Sequence, residues 1–339
     1  MVASTDAQEL RAAWRALDGA SGGEGWRTIA VRAQAPCMVL AGRRLPGNDE
    51  ALLVGFCGIV TTLAKQFPQG HGFEVAHLPA GPTEDDRFWM ALARRSGGSL
   101  ELFAMMAEDL LGLLRQSASH SGDILLLLFL SRIRAWQDFM ERHREGVLAP
   151  EAELGLYGEL VVLGDIFAAG MPPQTALEIW QGPLDGLHDF MPGAGGIEVK
   201  STLAGGEFPA VITSLDQLDD NLRQPLFLAA VRLALDAAGA TLSELAEKIR
   251  EQLAAHAAAR DLLDVRLIQA GLLPGAYDRY HRRFRHVSTT IIAVRDEFPR
   301  LTRANVHPAI RKARYDLHLD LSVASDIGLS RALQLLETL

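Results

Sequence analysis

Apolar positions along the chain recur with two different periods. In Asp123–Arg144, the residues Leu126, Phe129, Ile133, Trp136 and Met140 fall three or four apart, on one face of a helix. Leu100–Arg115 shows the same period, and so does the stretch from about Glu151 to Ala168 with Leu154, Tyr157, Leu160, Val161 and Leu163. A shorter helix is predicted over Ala7–Leu17, followed by a Gly-rich loop, Gly19–Gly25. Short apolar runs that read as strands lie near Cys37–Arg43, Leu52–Cys57, Phe73–Leu78 and Phe88–Ala93.

After Met171-Pro172-Pro173 the period changes. Strand-like pieces are predicted near Leu177–Trp180, Gly186–Phe190, Gly196–Thr202, Phe208–Thr213 and Leu226–Leu235. Ser214-Leu215-Asp216-Gln217 matches a capping box, which predicts a short helix from there. A helix is expected at Ser243–His256, strands at Thr289–Val294 and Tyr315–Leu321, and a closing helix near Ser330–Leu336. This order predicts an α/β protein: an N-terminal α+β region over 1–146, then a core with a mixed central sheet flanked by helices and a β-rich C-terminal extension over 147–339. The break from Gly146 to Pro150 marks the boundary.

Composition excludes several classes. The longest apolar run near the middle, Ile124–Leu130, ends at Ser131-Arg132, far short of the roughly 20 residues that a bilayer span needs. The first residues carry Asp6 and Glu9 and no basic-then-apolar signal pattern. Cys37 and Cys57 form no CxxC pair, so no zinc knuckle or disulfide framework is indicated, and a cytoplasmic location is expected. The net charge of −9 disfavours general nucleic-acid binding. Against that, Arg279–Arg314 holds ten basic residues opposed only by Asp296 and Glu297. Such a stripe is either a phosphate-tracking surface or a row of arginines paired with an acidic body.

The chemistry concentrates in His188-Asp189-Phe190-Met191-Pro192-Gly193-Ala194-Gly195-Gly196-Ile197-Glu198-Val199-Lys200. Pro and three glycines mark a turn between two extended pieces. A hairpin centred on Gly193 and Ala194 sets Asp189 opposite Glu198, where facing Cβ atoms stand about 4.5–5.5 Å apart. Strand alternation puts Glu198 and Lys200 on one face and turns Ile197 and Val199 the other way. Two carboxylates and an ammonium would then converge, which suits metal-assisted attack on a phosphodiester. Only four lysines occur, Lys65, Lys200, Lys248 and Lys312, in a chain that otherwise uses arginine. A lysine on an inward-looking strand suggests that a compact ammonium is required. The competing reading is a solvent-facing Glu–Lys ladder.

Other motifs carry less. Gly19-Ala20-Ser21-Gly22-Gly23 matches G-x-S-x-G but follows a helix rather than a strand. Gly195-Gly196 to Lys200-Ser201 lacks the glycine that a phosphate loop needs before its lysine. Asp316, His318 and Asp320 alternate on one strand face, but the outer two would lie roughly 14 Å apart, too far for one ion. Gln217 either completes the capping box or touches DNA beside the site, and His188 either has a structural role or assists at the phosphate; the structural reading is favoured for both.

Residues from about Arg132 to Tyr315 resemble bacterial PD-(D/E)XK motif proteins. The resemblance rests on Ala135-Trp136-Gln137, Gly155-Leu156-Tyr157-Gly158-Glu159-Leu160, Trp180-Gln181-Gly182-Pro183, His188-Asp189-Phe190, Ile197-Glu198-Val199-Lys200, Ser214 to Leu218, and Phe298-Pro299-Arg300-Leu301. It implies a restriction-endonuclease-like core and makes Glu159 the helical acidic residue of the site. Gly155 and Gly158 would let that helix approach the sheet; the alternative for Glu159 is a solvated helix carboxylate. His188 stands where a proline is expected before the first Asp.

The expectation is therefore Mg²⁺- or Mn²⁺-dependent cleavage of DNA in a bacterial restriction or phage-defence system. Asp189, Glu198 and Glu159 would be metal ligands, and Lys200 would orient the attacking water. Arg282, Arg283, Arg285, Arg311, Lys312 and Arg314 would form the phosphate-backbone surface. Cutting both strands of a duplex with one site per chain predicts a homodimer, and the resemblance implies methyltransferase and ATPase proteins as partners. The alternatives are a non-cleaving DNA- or partner-binding subunit with the same fold, and an enzyme acting on RNA.

Overall fold

The computed structural model describes residues 5–19, 23–34, 36–59, 67–70, 72–83, 85–142, 147–184, 186–295, 297–321 and 325–336. It is a mixed α/β structure whose contacts divide into two compact units, Met1–Gly146 with Leu273–Ala276, and Val147–Leu272 with Tyr277–Leu339.

The first unit is an antiparallel sheet with helices. Its strands are β1 Gly25–Gln34, β2 Cys37–Leu45, β3 Asp49–Phe56, β4 Phe73–Leu78 and β5 Phe88–Arg94, in the order β1-β2-β3-β5-β4. Helices α1 Thr5–Ala16, α2 Leu100–Gln116 and α3 Gly122–Arg142 complete it. Trp14 on α1 is buried and donates from Nε1 to the Ala51 carbonyl at 2.8 Å, tying helix to sheet. β1 was not anticipated, because Arg27 and Arg32 interrupt its apolar pattern. The predicted Gly-rich loop and the G-x-S-x-G match fall partly outside the described residues, as do the last two residues of the third predicted helix.

The second unit begins with α4 Pro150–Ala168 and α5 Pro173–Ile179. β6 Gly196–Thr202, β7 Pro209–Ile212 and β8 Leu226–Ala240 follow, then α6 Leu242–Gln252, α7 Ala257–Gln269, β9 Phe284–Ala293, β10 Tyr315–His318 and α8 Leu329–Leu335. A mixed three-stranded sheet has the order β6-β8-β9, with β6 parallel to β8 and β8 antiparallel to β9. A separate two-stranded sheet pairs β10 with β7. Phe208, Ile212, Leu226, Leu228, Ile292 and Phe298 are buried together in one core cluster.

Four expectations are corrected here. Leu177–Trp180 is not a strand: α5 starts at Pro173, whose fixed φ suits a first helical turn, and runs to Ile179. No helix follows Ser214. Its hydroxyl accepts from the Asp216 and Gln217 amides at 3.3 and 3.2 Å, but the Gln217 side chain caps Thr213 instead of Ser214. Asp219 then starts a second turn by accepting from the Asn221 amide. Gly186–Phe190 is irregular apart from Phe190. Asp316 and His318 lie on β10 as predicted, whereas Asp320 sits in a 3₁₀ turn and accepts from the Phe208 amide.

α4 touches the sheet through Gly158. A Cβ there would collide with the Ser201 hydroxyl on β6 and stand 3.1 Å from the Ser201 Cβ. Gly155 has open space around it, so only one of the two glycines serves close approach. Among the described residues no helix is long and apolar enough to cross a membrane.

The contact at Gly158 generates a paired expectation. Gly158→Ala should destabilise by about 1–3 kcal/mol through overpacking. Gly155→Ala should be neutral or stabilising by up to about 1 kcal/mol, because helical glycine carries an entropic cost. Urea denaturation of the two variants checks this; equal effects would show that α4 does not depend on contact at 158.

Candidate active site

The turn after Asp189 forms where Pro and Gly predict it. Gly195 N donates to Pro192 O at 3.0 Å, and Gly193 adopts a φ of +51°, in the left-handed region that glycine enters freely. Phe190 and Ile197 then exchange both backbone hydrogen bonds, at 3.0 and 2.8 Å. This is the register the turn centre predicted. Arg223 clamps the turn by donating to Gly193 O and Gly195 O. No periodicity or motif pointed to Arg223.

The hairpin is only one pair long, and Asp189 is the reason. The next hydrogen-bonded rung of an antiparallel ladder would pair residues 188 and 199. Instead the Val199 amide donates to Asp189 Oδ2 at 2.7 Å. The Asp189 carbonyl turns away and accepts from the Gln181 and Gly182 amides at 2.7 and 3.0 Å. Asp189 is thus held against the edge of β6 by its own carboxylate.

Glu198 lies mid-strand in β6 with 3% of its surface exposed, flanked by buried Ile197 and Val199. A strand paired in parallel and covered on both faces is normally apolar throughout. Glu198 is the exception, and Lys200, two residues on and on the same face, donates to Glu198 Oε1 at 2.8 Å. The Lys200 side chain is 15% exposed, so the solvent-facing ladder is excluded. Glu159, half-buried on α4 next to Gly158, accepts from the indole Nε1 of fully buried Trp180 at 2.7 Å. A side chain at Gly182 would run into the Glu159 carboxylate and stand 3.1 Å from Asp189 Oδ1. Both carboxylates therefore share the space that this glycine leaves.

Each of the three acids has its pKa raised above its ordinary value. Burial is the main cause in each. For Glu159 the Asp189 charge adds to it, and the Trp180 N–H and Lys200 oppose it. For Asp189 the Val199 amide and Lys200 oppose it. Glu198 is pushed up to about 8 by burial and by the Asp189 charge, against Lys200. One ammonium does not neutralise three carboxylates, and the negative charge left over adds to burial in raising Glu159 and Glu198. Among the described residues no three His, Cys, Asp or Glu side chains converge closely enough to grip one ion as they stand. Each acid has one oxygen committed, to Trp180, Val199 or Lys200.

His188 is tied to the segment after β7. Buried to 1% exposure, it donates from Nε2 to the Gln217 carbonyl at 3.0 Å, and burial lowers its pKa. Its Nδ1 has no partner and faces Gly196, where a Cβ would come within 2.9 Å.

The basic stripe divides. Arg282 pairs with Glu153 at 2.9 Å, Arg283 grips Glu244 with two bonds at 2.7 and 3.0 Å, and Arg285 pairs with Asp236 at 2.8 Å. Arg300 and Arg303 are likewise held by Asp220 and Asp216. Arg282, Arg283 and Arg285 are thus each paired with a carboxylate and stay partly exposed. Arg311, Lys312 and Arg314 are exposed and, among the described residues, have no ion-pair partner. They precede Tyr315, whose phenol lies within electrostatic reach of Lys200. A cavity of about 360 Å³ against Trp26, Ala76, Ala91 and Ala93 belongs to the first unit and holds none of the site residues.

A family model described as "Putative PD-(D/E)XK family member (DUF4420)" matches residues 10–320. No curated protein and no solved structure matches the chain.

Raised carboxylate pKa values make stability depend on pH. In the folded state these acids hold protons that the unfolded chain releases above about pH 4.5, so stability falls as pH rises from there through about 8. Glu159→Gln removes one buried charge but keeps an acceptor for Trp180. Thermal melts in EDTA should show wild type and variant together near pH 5. At pH 8.5 the variant should melt several degrees higher, each kcal/mol being worth about 2–4 °C in a domain of 150–250 residues. Parallel curves would mean that Glu159 is solvated.

Proposed function

The chain belongs to the DUF4420 family of PD-(D/E)XK-type proteins, and from that premise we propose that it is a divalent-metal-dependent DNA phosphodiesterase serving a bacterial restriction or phage-defence system. The observation that carries this reading is the trio Glu159, Asp189 and Glu198 around Lys200, with Gly182 leaving room over two of the carboxylates.

The residues fit a hard cation. Glu159 keeps Oε1, Asp189 keeps Oδ1 and Glu198 keeps Oε2 uncommitted. Mg²⁺ and Mn²⁺ take oxygen ligands and need only one or two carboxylates, because water and substrate phosphate fill the other positions. One buried and two partly buried acids with raised pKa values are costly alone and are relieved by a positive charge. Asp189 and Glu198 would be the principal ligands, and Glu159 would support the shell or a second ion. When bound, such an ion polarises a phosphoryl oxygen and makes its water acidic enough to attack near neutral pH.

The chain's own groups do the rest. Lys200 has two N–H donors beyond the one given to Glu198, enough to hold the attacking water and a phosphate oxygen together. Its charge offsets the negative charge that builds on the phosphate. Arg311, Lys312 and Arg314 would contact the backbone of the bound strand. A homodimer would supply one site for each strand of a duplex, and methyltransferase and ATPase proteins of the same system would be its partners.

The test is single-turnover cleavage of supercoiled plasmid. Wild type should nick in Mg²⁺ or Mn²⁺ and not in EDTA, and Asp189→Ala should be inactive while folded. Lys200→Arg should lose on the order of 10²–10³ in rate. Arginine's planar fork would form a bidentate bridge with a carboxylate and compete for the ligands, and it cannot present a compact ammonium. Cleavage by Lys200→Arg within about threefold of wild type would remove Lys200 from the mechanism. Folded wild type that binds DNA but never cuts it would favour the non-cleaving subunit.

A further inference from the structure

Trp180-Gln181-Gly182 lies between α5 and the hairpin, and each of the three residues touches the carboxylate cluster differently. Trp180 has no exposed surface, yet its indole N–H meets an acidic side chain from another element, Glu159 on α4. Its backbone bridges Phe190, and Phe190 in turn pairs with Ile197. Met191 N donates to Ile179 O at 2.8 Å and Gln181 N to Asp189 O at 2.7 Å, so the bridge is anchored on both sides. The row Trp180–Phe190–Ile197 therefore runs directly beside Asp189 and Glu198. The Gln181 and Gly182 amides hold the Asp189 main chain, and Gly182 contributes the empty space above Glu159 and Asp189.

Among the described residues, the Glu159 side chain accepts its one hydrogen bond from this segment. A buried indole N–H needs an acceptor, but a backbone carbonyl would satisfy it at lower cost than a half-buried carboxylate. A single N–H also binds one carboxylate oxygen and leaves the other free. It thereby fixes the rotamer of Glu159 and the direction in which Oε1 points. Partners that orient a metal-binding side chain in this way typically contribute 10–100-fold to metal affinity.

Building on the metal-dependent reading above, we infer that Trp180 is a positioning residue that holds Glu159 in register with Asp189 and Glu198, and so sets the affinity of the site for a divalent ion. It touches neither substrate nor metal. Its effect passes through Glu159 alone, which separates it from a packing role.

The test is a double-mutant cycle read by Mn²⁺ binding, with free Mn²⁺ followed by electron paramagnetic resonance on the metal-free full-length protein. Trp180→Phe should weaken Mn²⁺ binding about 10–100-fold. Glu159→Gln should weaken it too, and adding Trp180→Phe to Glu159→Gln should change nothing further. Binding by Trp180→Phe within threefold of wild type would overturn the inference. So would an equal loss in both backgrounds, because the effect would then not pass through Glu159. If Trp180→Phe does not fold, benzothienylalanine at 180 keeps the ring shape, lacks the N–H and makes the same test. A folded wild type that neither binds Mn²⁺ nor cuts DNA overturns the metal-dependent reading, and this inference with it. Wild-type binding that is matched by the variant overturns this inference alone.

Discussion

Three carboxylates, Glu159, Asp189 and Glu198, are withdrawn from water around one ammonium, Lys200, and much of the second unit is arranged to hold them there. Charges so placed repel one another and lose hydration, each effect worth several kcal/mol in a dry interior. The fold opposes this with directed donors. The Trp180 indole, the Val199 amide and the Lys200 ammonium each take one oxygen. What they leave is a cluster still short of positive charge. Burial and this uncompensated charge hold Glu159 and Glu198 well above their ordinary pKa values, and burial raises Asp189.

The scaffold explains how that cluster is assembled from distant parts of the chain. β6 pairs with β8 along one edge and packs against α4, and Glu198 is buried in mid-strand. Gly158 brings α4 against Ser201 on the same strand, which carries Glu159 to the sheet. The short turn at Pro192–Gly195, clamped by Arg223, returns Asp189 to the edge of β6. The Asp189 carboxylate then takes the place of the next rung of the ladder, so the hairpin opens where the site begins.

Much of this was legible in the sequence. The limits of β4 and β6 and the Phe190–Ile197 register followed from alternation and turn residues alone. Glu198 and Lys200 share a face because strand alternation allows nothing else. The failures have physical causes. Leu177–Trp180 is too short an apolar run to separate helix from strand, and its flanking prolines start a helix. The Ser214 hydroxyl caps amides as predicted, but a side chain–backbone bond supports a turn as readily as a helix. α7 went unseen because its buried positions, such as Ala259, Leu263 and Leu267, are interleaved with arginine and aspartate. Whether an arginine is free or paired is decided by partners far along the chain, as with Arg282 and Glu153 or Arg285 and Asp236, and no local pattern encodes that. The tie between Trp180 and Glu159 is of the same kind.

The central claim is that the carboxylate cluster is a metal centre, and its most direct test is to locate a metal in it. Crystals soaked in Mn²⁺ should give an anomalous difference peak bonded to carboxylate oxygens of Asp189 and Glu198, with Glu159 beside it, at roughly the 2.0–2.1 Å typical of Mg²⁺ or slightly longer. Manganese bound elsewhere, or none at the cluster in protein that still cuts DNA, would contradict the account.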